Sequence, residues 1–153
     1  PTANAGMVNR PSPPQNRAAA LGSGQYVMAA TAIAGKMDLS CFEDAMLGNA
    51  RVRALLSRVT VECDKELDHY FPQSWPGRVR MTLNDGRSVT HEVLCPKGES
   101  ANPMSEREVE DKFLTLAAPV LAKRAQSVVE IVKSLERRES LPDLFAALDC
   151  RAT

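Results

Sequence analysis

The stretch from Pro96 to Phe113, PKGESANPMSEREVEDKF, constrains the fold of this chain more than any other. Its left half is polar and pinned by Pro96, Gly98 and Pro103, which makes it a loop. Its right half is a helix start. Ser105 stands where an N-cap belongs and Glu108 follows three residues on, so each side chain reaches the other's backbone N–H. Met104 and Val109 have the spacing of a hydrophobic staple. Glu106, Glu108 and Glu110 set negative charge against the positive end of the helix dipole. The chain therefore changes character here, from strands before the loop to helices after it.

The strands before the loop are read from alternation. Arg78–Leu83 and Arg87–Leu94 flank Asn84-Asp85-Gly86, the spacing of a β-hairpin over 79–94. A three-residue loop pairs Val79 with His91 and Met81 with Val89, apolar beside apolar on the central pair. A two-residue loop sets Met81 against Thr90. The first register is preferred, and it requires Gly86 in the left-handed region as a G1 bulge. Arg58–Cys63 also alternates, with Val59, Val61 and Cys63 on one face, and predicts a further half-buried strand. Residues 64–77, with Pro72, Pro76 and Gly77, form a loop in which Tyr70 and Trp75 are expected to cover a core edge.

Helical spacing governs the rest. Residues 18–34 carry Tyr26, Val27, Ala30, Ile33 and Ala34, with a firm start near Ser23 and a stop at Gly35. Alanine and glycine leave little side chain here, so another element or a ligand can approach closely. Ser40 is expected to cap a short helix over 41–47, and a second covers 51–56. Beyond Ser105, Val109, Phe113, Leu116, Ala117 and Val120 line one helical face, and Pro119 must kink or end that helix. Ala125, Val128, Val129, Val132 and Leu135 form the next face. Ser140 with Asp143 caps a last helix over 141–148. The order is helices, strand, hairpin, helices. It predicts an α+β fold, a small antiparallel sheet of three or four strands covered by helices.

Residues 1–16 hold Pro1, Pro11, Pro13 and Pro14 among Asn, Gly and Ser, and read as a flexible arm or linker. Residues 17–153 are taken as a single domain, and a start at Pro1 without methionine reads as a piece of a longer protein. Nineteen basic and nineteen acidic residues balance, which gives no electrostatic drive toward nucleic acid or an anionic membrane surface. No apolar run approaches the ~20 residues of a membrane helix. The cysteines at 41, 63, 95 and 150 form no CxxC pair and read as reduced, cytosolic thiols, placing the protein in the cytoplasm. The two histidines, His69 and His91, have no partner at ligand spacing, so no metal site is expected. His91 falls on the apolar strand face and reads as a partly buried structural residue. No Ser/His/Asp set, HExxH motif or phosphate-binding glycine loop is present.

Several pieces, in order, resemble one family. Ser23-Gly-Gln-Tyr26 followed by Val27-Met-Ala-Ala-Thr-Ala resembles the Ser-x-x-Tyr helix start of the MmgE/PrpD family, which includes 2-methylcitrate dehydratase and cis-aconitate decarboxylase. Gly35 with 38–42, the Val-x-x-Leu-x-x-x-Val-x-Val spacing within 51–62, and Asp85-Gly86 are similar to its following segments. So are Lys97-Gly98, Pro103, Ser105 and Lys112-Phe113. The likeness spans 17–148. It implies the small α+β domain of a two-domain lyase, whose active site lies against a large helical domain upstream. It implies Tyr26 as a catalytic residue, with Ser23 and Lys97 as substrate-binding residues. It also implies a small di- or tricarboxylate substrate, no cofactor, and a homodimer. The rival expectation is a non-catalytic dimerisation or docking module. Under the lyase expectation the Ala-rich helix 23–34 should be an exposed surface, with Tyr26 opening on a cleft.

Overall fold

The computed structural model describes residues 2–149, and residues 2–4 in their backbone only. Pro1 of the expected arm and Cys150 lie outside the described residues. Chain contacts divide into two compact units, Pro1–Pro96 and Lys97–Thr153.

The first unit contains α1 (Thr2–Val8), α2 (Arg17–Leu21), α3 (Gly24–Ala34), a 3-10 turn (Leu39–Phe42), α4 (Asp44–Leu47), α5 (Ala50–Leu56), a second 3-10 turn (Lys65–Tyr70), β1 (Gly77–Thr82) and β2 (Ser88–Val93). Its core gathers Ala20, Tyr26, Ala29, Ala30, Cys41, Phe42, Leu47, Val52 and Leu56. Helix α3 is the centre of this core and packs on α5. The sequence signals at its two ends hold. The Ser23 side chain accepts from the Tyr26 N–H at the start, and Gly35 closes the end at φ 71° with its N–H on the Thr31 carbonyl. Ala29 and Ala30 are fully buried, so small side chains bring the neighbouring elements close.

The hairpin forms in the expected register, with Val79 opposite His91 and Met81 opposite Val89. The Leu83 N–H bonds the Arg87 carbonyl at 2.8 Å, the Gly86 N–H bonds Leu83 at 3.0 Å, and Gly86 takes φ 85°. The protein is α+β, but its sheet has two strands rather than three or four among the described residues. Residues 58–63 join no ladder, and Arg58 belongs to the turn that follows α5. Val59 packs on the helical core and Val61 lies against Gly24, so helices use the apolar side chains that the alternation assigned to a sheet. Every residue of β1 and β2 is exposed, so the face assigned to a helical cover is open, and His91 is exposed rather than partly buried. Trp75 is likewise exposed and meets Phe71 edge-on. Ser40 is not the cap of a helix over 41–47. Asp38 caps a 3-10 turn there, accepting from the Ser40 N–H at 2.9 Å, because its carboxylate reaches that donor two residues on.

The arm also has partners. The Arg10 N–H bonds Gln25 Oε1 at 2.9 Å, and Gln25 Nε2 donates to Asn9 Oδ1 at 2.5 Å. A Cβ on Gly24 would stand 3.2–3.3 Å from Val61 and Val8, so the glycine makes room for the arm to cross.

The second unit holds α6 (Glu106–Leu121), α7 (Arg124–Lys133) and α8 (Pro142–Leu148). The Ser105–Glu108 capping box is present in both directions. Helix α6 passes Pro119 and ends two residues later, where Ala122 takes φ 50°. Its inner face keeps Phe113 and Ala117 of the expected set but not the rest. Leu121 is buried, with Phe113, Leu114 and Ala117 packed around it, while Val109, Leu116 and Val120 are exposed. The helix carries apolar residues on two sides, and α7, through Ala125 and Val128, selects one. Helix α8 has no Ser140 cap. Pro142 opens it, and Asp143 pairs with Arg138 at 3.2 Å instead.

Gly86→Val should destabilise the protein by roughly 1–2 kcal/mol, the cost of a β-branched residue in left-handed backbone. Urea denaturation measures it, and an unchanged midpoint would contradict a left-handed bulge at Gly86.

Candidate functional site

Tyr26 sits one turn into α3, with its ring 6.2 Å from Phe42 and 1% of its surface exposed. Its hydroxyl donates to the Cys41 carbonyl at 2.5 Å. Burial, and secondarily the nearby Cys41 thiol, push the phenol above its ordinary value of 10.0. The Cys41 thiol in turn donates to the Lys36 carbonyl at 3.4 Å. The phenol therefore bridges α3 to the following turn.

Ser23 is equally committed. Its Oγ donates to the Arg10 carbonyl at 3.0 Å and accepts the Tyr26 N–H at 3.2 Å. Gln25 completes the set by gripping Asn9 and Arg10. Sequence reasoning missed Gln25. A buried glutamine in a first helical turn leaves no periodic trace, and its partners lie sixteen and fifteen residues upstream.

Lys97 belongs to the second unit. Its Nζ lies 3.0 Å from Glu108 Oε2, with the lysine side chain about half exposed. The same oxygen receives the Ser105 N–H at 2.7 Å and the Ser105 hydroxyl at 2.8 Å. These bonds, the backbone donor first, then the hydroxyl and Lys97, hold the Glu108 carboxyl at about 2 against an ordinary 4.5. Lys97 thus neutralises a helix start.

A groove in the first unit runs past Met7, Val8, Leu67, Trp75, Pro76 and Arg78, and another in the second unit past Ser105, Glu106, Glu110 and Lys133. Tyr26, Ser23 and Lys97 line neither. The expectation that helix 23–34 is an exposed surface is corrected for its first half: Gln25, Tyr26, Ala29 and Ala30 are buried within the unit. No cluster of three or more His, Cys, Asp or Glu suited to a metal ion exists among the described residues. No helix among them is long and apolar enough to cross a membrane.

Comparison with known proteins supplies what this geometry leaves open. The sequence model of the MmgE/PrpD C-terminal domain matches residues 1–137. The cis-aconitate decarboxylase of Homo sapiens is 31% identical over 152 residues, 95% of this chain and 30% of that protein. The cis-aconitate decarboxylase of Aspergillus terreus (strain NIH 2624 / FGSC A1156) is 31% identical over 128 residues, 82% of this chain and 26% of that protein. That of Mus musculus is 28% identical over 133 residues, 86% of this chain and 27% of the mouse protein. The chain spans less than a third of the length of these relatives.

Tyr26→Phe should cost about 1–2 kcal/mol, because it strips a buried carbonyl of its donor. Equal denaturation midpoints would show that the hydroxyl is not held. For Glu108, the folded value lies below the ordinary one, so its contribution is full above pH 4.5 and fades as pH falls toward about 2. A carboxyl NMR titration should find its midpoint near 2, rising in Ser105→Ala; a midpoint of 4 or more in the unaltered protein would contradict the bonding described.

Proposed function

The chain belongs to the MmgE/PrpD family, and on that premise we propose that it is the C-terminal part of a lyase acting on a small di- or tricarboxylate, by decarboxylation or dehydration. The observation that carries this reading is the length relation: likeness runs through nearly all of this chain yet through under a third of each decarboxylase relative. Chemistry supports a shared site. Acid–base catalysis needs a donor and an acceptor converging on the reacting atoms. Tyr26 is the group here that the resemblance singles out, and its hydroxyl bonds a backbone carbonyl. The remaining groups would come from an upstream helical domain in the cytoplasmic full-length enzyme, with this chain as one wall. Tyr26 would act there by releasing Cys41 and turning its proton to the substrate, and Ser23 would exchange its present partners for a carboxylate.

One observation favours a second reading, a non-catalytic docking module. All three candidate residues already have internal partners, and two of them are buried.

An assay on cis-aconitate and 2-methylcitrate decides between them. The full-length protein should turn over at least one, and the 153-residue chain neither. In the full-length protein, Tyr26→Phe should lower kcat beyond any loss of folded protein. Turnover by the short chain would overturn the shared site, and an unaltered kcat would leave the docking reading.

A further inference from the structure

We propose that the apolar face of the β1–β2 hairpin is a docking surface for the rest of the longer polypeptide, the part outside these 153 residues. This rests on the reading of the chain as one part of a larger enzyme. The hairpin is amphipathic, and it is attached by the wrong side for a self-contained unit. Residues opposite one another share a face. One face therefore carries Arg78, Arg80, Thr82, Ser88, Thr90 and Glu92. The other carries Val79, Met81, Val89, His91 and Val93, continued by Leu83.

The polar face is the one tied down. Arg78 reaches Asp64 at 2.7 Å, Glu66 at 3.1 Å and Glu92 at 2.7 Å, which fastens β1 to the turn at 64–66. The apolar face is left to solvent, with Val79, Met81, Leu83, Val89 and Val93 each 36–59% exposed. A lone two-stranded hairpin is marginal in water without a covered face, and a contiguous apolar patch of this kind marks an interface.

Size selects the occupant. A stable interface between separate chains uses roughly 20–30 residues a side. The five apolar side chains and one histidine of this face are too few to hold a second copy. The same patch suffices within one polypeptide, where the linked partner is present at high effective concentration. The human relative is long enough to hold such a partner, since this chain matches only 30% of it.

Met81 at the middle of the face reports the contact. In the full-length protein below micromolar concentration, peroxide oxidation of Met81 should be at least tenfold slower than in the urea-denatured protein. Protein grown with photo-methionine should crosslink position 81 to peptides outside the 153-residue segment. Oxidation near the denatured rate would overturn the proposal. So would crosslinks confined to 97–153, or a crosslinked product of twice the mass, which would give the face to the second unit or to a second copy. Val89→Asp should restore fast oxidation at Met81 while far-UV circular dichroism stays unchanged. If that variant does not fold, the crosslink sites alone decide. The polycarboxylate assay is scored separately: an inactive protein with Met81 protected and crosslinked outward would end the lyase reading and keep the docking surface.

Discussion

The hydrogen bond from the Tyr26 hydroxyl to the Cys41 carbonyl is the contact on which the first unit depends. It joins the first turn of α3 to the turn that follows the same helix, across a sequence separation of fifteen. A buried carbonyl without a donor is costly, on the order of 1–3 kcal/mol, so the phenol, or a group like it, is needed where the chain reverses. Around it, Ser23 caps the helix and holds Arg10, while Gln25 holds Asn9 and Arg10. One helical turn thus fixes the helix start, the arm before it and the turn after it. The alanines further along α3 then bring α5 close.

This arrangement bears on function. A tyrosine that serves as a proton donor must present its hydroxyl to a substrate. Here the hydroxyl faces a carbonyl, and desolvation disfavours its ionised form. The same residue can hold both roles only if the fold yields the bond when substrate arrives. Residues 39–42 form a short 3-10 turn, the element that would have to move. The family match, meanwhile, runs over residues 1–137 as a whole.

Much of the fold was legible because local chemistry decided it. The Ser105–Glu108 box, the Ser23 and Gly35 helix ends and the hairpin register each depend on residues within a few positions of one another. What was not legible depends on distant partners. The alternation at 58–63 is real, but a strand needs a neighbour, and Val59 and Val61 found helices instead. Helix α6 has apolar residues on two sides; periodicity placed Phe113 and Ala117 inward, but did not reveal that Leu114 and Leu121 would join them while Val109, Leu116 and Val120 would not. At the candidate site, the resemblance singled out Tyr26 and Ser23 but carried no sign that both are engaged internally. Gln25, which completes their setting, left no mark in the pattern.

The Tyr26 phenol is buried and bonded to a carbonyl in the folded protein. A titration of its ring carbon beside the hydroxyl, followed by NMR with the fold monitored alongside, tests this most directly. Tyr26 should remain protonated beyond pH 10.0 for as long as the fold persists. Ionisation at or below pH 10.0 in folded protein would contradict it, and would place the hydroxyl in a solvated or activated site instead.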